Sequence, residues 1–234
     1  MTCICVLGMH RSGTSCLTGI MQGLGVELGE VFTASTHNKK GNRENDRIVR
    51  LNESLLTNSG GSWWEPVEVS TWSLEQAAER DAIVSELSDR GAEYWGFKDT
   101  RTIFTLPFWL EAVPEPSFIG TFRHPQRVAL SLYKRDKTRF AFTWELWHKY
   151  NSRLLTLAQQ NAFALTDFDL EDEAYMEDVL RKLISLGLDP LLVAQARTFF
   201  DSSLRNQAGS DINNVNLPAE VEQLYSALQA YSAS

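Results

Sequence analysis

Residues 2 to 25, TCICVLGMHRSGTSCLTGIMQGLG, constrain the fold more than any other stretch of the chain. TCICVL is a continuous apolar run of strand length, the pattern of a parallel strand covered on both faces. From Thr14 the apolar residues Leu17, Ile20, Met21 and Leu24 recur at helical spacing. Strand, glycine turn and helix follow one another directly, so the chain must place this strand inside a sheet with helices above and below it.

The remainder continues the alternation. The spacing predicts a helix from Asp46 to about Thr57, with Ile48, Leu51, Leu55 and Leu56 on one face, and another over Trp72 to Arg90. Short apolar strands are expected at Glu93 to Phe97, Ser117 to Phe122 and Phe163 to Thr166, and helices from Glu171 to the end. The first two end in charged clusters, KDTRT and RHPQR, at the place where ligands gather in open parallel sheets. The expected fold is α/β: three layers, a mainly parallel sheet flanked by helices, in one domain over residues 1–234 with helical insertions and a helical C-terminal region.

The 234 residues carry a formal net charge of -8, which argues against general nucleic-acid binding, so any anion site must be local. No apolar run approaches the roughly 20 residues of a membrane span. Cys3, Cys5 and Cys16 fit neither a zinc site nor a disulfide framework. They are read as buried thiols of a cytoplasmic protein.

The turn GMHRSGTS compares closely with the nucleoside triphosphate loop GxxxxGK[ST], in which backbone amides and the helix N-terminus cradle phosphate. Gly8, Gly13 and Ser15 occupy the pattern's places, but Thr14 stands where the lysine belongs. The strand SFIGTF ends in Arg123 rather than the aspartate that would help to hold magnesium. Arg11 supplies a cation within the loop instead, which points away from ATP and towards a metal-independent ligand.

These residues resemble the sulfotransferases that use 3′-phosphoadenosine 5′-phosphosulfate (PAPS). Their first-strand loop reads [KR]SGT[ST], matched by RSGTS at Arg11 to Ser15. Their second element is an arginine followed eight residues later by a serine, matched by Arg123 and Ser131 in RHPQRVALS. KKGNREN, WGFKDTRT, LWHKYN, TDFDL and FFDSSLRN are similar to segments of bacterial members, so the resemblance runs from about residue 3 to 206. It departs at Thr100, where KDPR is common, and at Leu17, where some animal members have an adenine-stacking tryptophan.

The resemblance implies a P-loop-like fold, PAPS as co-substrate with PAP as product, no metal, and in-line sulfuryl transfer to a hydroxyl or amine of a small molecule, lipid or carbohydrate. By the same resemblance, Ser12, Gly13, Thr14 and Ser15 bind the 5′-phosphosulfate, Arg11 contacts the bridging oxygen, Arg123 and Ser131 bind the 3′-phosphate, and Arg205 adds a cation there. A hydroxyl acceptor needs a base within hydrogen-bond reach, and Glu44 is the first choice, ahead of His10, Asp46 and Asp99. Lys98 is a candidate for stabilising the transferred group, while Arg101 is expected to pair with a carboxylate. Trp63, Trp64, Trp147 and Tyr150 form either an acceptor wall or core. The acceptor pocket is expected in loops at 33–45, 58–72 and 137–150, and a homo-oligomer is possible. Two alternatives stay open: a PAP-binding protein without catalysis, and a P-loop kinase with a degenerate loop.

Overall fold

A computed structural model describes residues 1–34, 40–201 and 215–233. Its elements in chain order are β1 (Thr2–Leu7), α1 (Thr14–Gly23), α2 (Asp46–Asn58), α3 (Leu74–Ser88), β2 (Tyr94–Lys98), α4 (Thr102–Leu110), β3 (Ser117–Phe122), α5 (Pro125–Asp136), α6 (Phe140–Asn161), β4 (Leu165–Asp167), α7 (Asp172–Ser185), α8 (Val193–Arg197) and α9 (Ala219–Ala233). The four strands are parallel in the order β2-β1-β3-β4. This is the expected α/β architecture.

Side-chain alternation builds the two faces. Ile4, Val6 and Ile119 pack with α1, α7 and Ala196 of α8 on one side. Cys3, Cys5, Leu7, Trp95, Phe97, Phe118 and Phe122 pack with α2 to α6 and α9 on the other. Because both faces are covered, the strands are built from apolar or small residues except at the carboxyl ends of β2 and β4, where Lys98 and Asp167 stand, and each buried Leu, Val or Phe contributes about 1.5–3 kcal/mol over exposure. Cys3 and Cys5 are buried, and burial pushes both thiols up; Cys16 is only partly buried, unlike the buried state expected for all three.

Local signals start the helices. Asn45 caps α2 by accepting from the Arg47 and Ile48 amides, Ser73 and Gln76 form a capping box on α3, and Pro125 opens α5. Buried Asn52 of α2 donates to Thr102 Oγ1 and accepts from Thr105 Oγ1 and Trp109 Nε1, locking α2 against α4. The sheet edge has an addition that periodicity did not reveal: Glu27 bridges to Trp95, its amide donating to Tyr94 O and its carbonyl accepting from Gly96 N. Residues 140–150 belong to α6 rather than to a loop. No helix among the described residues is long and apolar enough to cross a membrane.

Candidate functional site

In the strand order β2-β1-β3-β4, the connection from β1 to β2 and that from β3 to β4 run in opposite directions, so the loops after β1 and β3 flank a switch point. Such crevices, beyond the carboxyl ends of the strands, are where open α/β sheets take ligands. Parallel register sets Val6 beside Lys98 and Leu7 beside Gly120, so the GMHRSG loop, the KDT segment and Arg123 issue from one end of the sheet.

The loop is shaped by two left-handed residues, Arg11 (φ 67°) and Gly13 (φ 85°). A Cβ on Gly13 would lie 2.3 Å from the Phe168 ring, and one on Gly8 would lie 2.6 Å from the Thr121 carbonyl oxygen, so both positions require glycine. Gly13 is the N-cap of α1 and offers no side-chain cap. Gly13, Thr14 and Ser15 therefore carry first-turn amides, which a helix leaves without an intrahelical acceptor. The Ser12 amide instead donates to Met9 O at 3.3 Å, and the Ser12 carbonyl accepts from Thr121 Oγ1. Ser12 Oγ is buried without a hydrogen-bond partner.

Folding joins the two motifs. Arg11 Nε donates to Ser131 Oγ at 2.8 Å, and Arg123 donates from a terminal nitrogen to Arg11 O at 3.4 Å. Arg123 and Ser131 are both buried. Burial and the neighbouring cations Arg135 and Arg123 lower Arg11 to about 10, so it remains charged at neutral pH. The Arg123 guanidinium stacks over Phe168, its Nε donates to Asp169, and its carbonyl accepts from Trp147 Nε1 at 2.9 Å.

At the β2 end, Lys98 Nζ and Glu44 Oε1 form a 2.7 Å ion pair, with the side chains only 2% and 12% exposed. Asp46 lies in the first turn of α2 and pairs with Arg50. Asp99 is bound by Arg101, which also reaches Glu53, as expected for Arg101; burial raises the Asp99 carboxyl to about 6. His10 packs 4.6 Å from Trp63 and 6.0 Å from Tyr150, with Thr100 Oγ1 2.7 Å from Nε2. Burial, then the cations Arg101, Lys98, Arg135 and Arg11, hold His10 well below its ordinary value. Thr100, the departure from KDPR, is thus a hydrogen-bonding partner of the loop.

The four aromatic candidates divide. Trp147 and Tyr150 are fully buried core, the latter donating to Trp63 O; Trp63 and Trp64 are partly buried and lie 3.5 Å apart, with Phe142 5.8 Å beyond Trp64 and Arg135 over Trp63. Leu17 is packed beneath the loop at 0% exposure, so it offers no surface for a base. Arg205 and part of the 33–45 loop lie outside the described residues. Asp167, Phe168, Asp169 and Tyr225 went unassigned in the sequence. The signal for the first three was the position of TDFDL at a fourth strand end, beside three ends that already carried candidates, whereas Tyr225 on α9 had no such signal.

By fold, the chain is similar to the sulfotransferase domain of the Synechococcus PCC 7002 olefin synthase, with TM-score 0.58, 15% identity and coverage of 98% of this chain and 94% of that one. It is also similar to the sulfotransferase domain from the curacin biosynthetic pathway, with TM-score 0.56, 13% identity and 97% of each chain covered. No curated protein matches it. A family model described as the sulfotransferase family matches residues 3–176, a span that contains the Arg11 loop, the Lys98 segment, and Arg123 with Ser131. The chain therefore belongs to the sulfotransferase family.

Proposed function

We propose that this protein transfers a sulfuryl group from PAPS to a hydroxyl or amine of a small molecule, lipid or carbohydrate. The observation that carries the reading is the 2.8 Å bond from Arg11 to Ser131, which unites two anion-binding elements 120 residues apart in the chain. The donor set suits a 3′-phosphorylated nucleotide: the uncapped start of α1, the partnerless Ser12 hydroxyl, the Arg11 guanidinium on Ser131, and the buried Arg123 against the Arg11 carbonyl.

PAPS, when bound, supplies an activated sulfuryl group on its 5′-phosphate. The amides and hydroxyls of Thr14 and Ser15 and the Gly13 amide hold that phosphate, while Arg123 and Ser131 take the 3′-phosphate. Arg11 neutralises the charge left on the bridging oxygen as the S–O bond breaks. Glu44 takes the acceptor proton as the new O–S or N–S bond forms, its carboxylate oriented by Lys98. His10 stands second for this role because its Nε2 faces Thr100. Trp63, Trp64 and Phe142 offer the acceptor an apolar wall.

Melting curves with PAP, without added magnesium, test the reading: PAP should raise the melting temperature, as any ligand bound only by the folded state does. Millimolar PAP giving neither a shift nor calorimetric heat would sink it. Labelled PAPS presented with pooled acceptors then separates a transferase from a protein that binds PAP without turnover.

A further inference from the structure

The arginine assigned above to the 3′-phosphate is embedded in a second layer of contacts. Asp169, in the turn after β4, accepts from Arg123 Nε at 3.2 Å, from Arg127 at 2.7 Å and from the His124 amide at 2.7 Å. One carboxylate thus fixes the side chain of Arg123, the start of α5 and a neighbouring cation. Its own position is fixed by Asp167, whose Oδ1 accepts from the Asp169 amide at 2.9 Å.

Asp167 is buried, and its Oδ2 is met from α9: Tyr225 Oη at 3.3 Å and Gln229 Nε2 at 3.4 Å. Burial and the carboxylates Asp167 and Asp169 push the Tyr225 phenol up, so it stays a donor. The Tyr225 ring lies 4.9 Å from His124 and 6.3 Å from Trp147, the residue that binds the Arg123 carbonyl. Helix α9 lies beyond residues 3–176, the part matched by the family model.

We propose that Asp169, braced through Asp167 by Tyr225 and Gln229 of α9, is the positioning residue for Arg123, so that the C-terminal helix sets affinity for a 3′-phosphorylated nucleotide. The inference rests on the reading of Arg123 as the 3′-phosphate ligand. Its physical basis is preorganisation. A guanidinium held in one orientation loses less freedom on meeting phosphate than one that must be ordered at binding.

Calorimetric titration with PAP and with 5′-AMP, which lacks the 3′-phosphate, tests this on the full chain. Wild type should prefer PAP. Asp169→Asn should weaken PAP by about tenfold or more while 5′-AMP stays within about twofold, the loss expected when charge-assisted hydrogen bonds go. Tyr225→Phe keeps the ring and should weaken PAP alone by about threefold. Tyr231→Phe, on the same helix but with its hydroxyl directed at Ala158 O of α6, should leave the PAP to AMP ratio unaltered. Asp169→Asn binding PAP as well as wild type or better overturns the proposal, and so does an equal loss of both ligands, which would mark a brace for folding alone. A wild type that binds both ligands alike removes the 3′-phosphate reading itself, and this inference with it.

Discussion

Arg11 donates through Nε to Ser131 Oγ at 2.8 Å, so the residue proposed to meet the leaving oxygen leans on the residue proposed to meet the 3′-phosphate. The two ends of one nucleotide would then be read by side chains already in contact. Arg11→Ala should lower kcat by about 10²–10³-fold, the usual cost of losing one donor aimed at developing negative charge. PAP affinity, measured by titration, should change far less. Equal losses in kcat and PAP affinity would deny Arg11 a role confined to the transition state.

Ser131→Ala removes the Arg11 partner and a phosphate donor together. PAP affinity should fall by about tenfold, consistent with a hydrogen bond to a charged group. Because Ser131 is only 4% exposed and accepts from Arg11 Nε, the ligand-free protein should also lose about 1 kcal/mol, a modest drop in melting temperature. A large change in melting without a change in PAP binding would place Ser131 in the core and outside the site.

Lys98 and Glu44 form a nearly dry ion pair, and removing one partner of such a pair costs about 3–5 kcal/mol because the other charge is left buried alone. Lys98→Met should therefore destabilise by about 3 kcal/mol in urea unfolding, the low end because Glu44 keeps some exposure. Lys98→Met with Glu44→Gln should recover most of that loss. Glu44→Gln alone should abolish turnover at retained PAP affinity if Glu44 takes the acceptor proton; unchanged turnover would move the search to His10.

His10 has a folded-state pKa well below its ordinary value near 6.5, so the folded state prefers the neutral ring. Its contribution to stability is then present above the unfolded pKa and is lost as pH falls through the folded value. Below pH ~6.5 it should add a slope of up to about 1.4 kcal/mol per pH unit, stability falling on acidification. The raised carboxyl of Asp99, at about 6, gives the opposite slope below that value. The difference between wild type and His10→Gln isolates the histidine. Parallel stability curves from pH 8 to 5 would show that His10 is not held neutral by folding.

Gly13 has φ 85° and the Phe168 ring where a Cβ would go. Gly13→Ala should cost about 1–2 kcal/mol for the left-handed backbone alone, and more for displacing Phe168, on which Arg123 stacks. Both melting temperature and PAP affinity should drop. A variant that melts and binds as wild type would mean that the loop relaxes without consequence.

Much of this was legible in the chain because it depends on neighbours in sequence. The apolar run of β1, the helical spacing of α1 and the charged ends of β2 and β3 follow from local periodicity, which burial on both faces of a parallel sheet imposes. Arg11 and Arg123 sit at strand-to-helix junctions, where backbone amides and cations can meet an anion, while Ser131 was singled out by the resemblance to the arginine-to-serine spacing of PAPS sulfotransferases. Tryptophans were harder to place. Spacing treats Trp63 and Trp147 alike, yet one lies partly buried beside His10 and the other is sealed in the core with its indole on the Arg123 carbonyl.

By itself, the sequence determined the layered α/β plan, the glycine loop and which cations border it, since backbone conformation and period are properties of short segments. Only the tertiary structure decided who pairs with whom: Lys98 with Glu44, Arg11 with Ser131, and Asp169 with Arg123, Arg127 and the turn that α9 supports. Such pairings depend on how far each charge is withdrawn from water and which opposite charge the packing brings within about 3 Å, and neither is encoded by spacing along the chain.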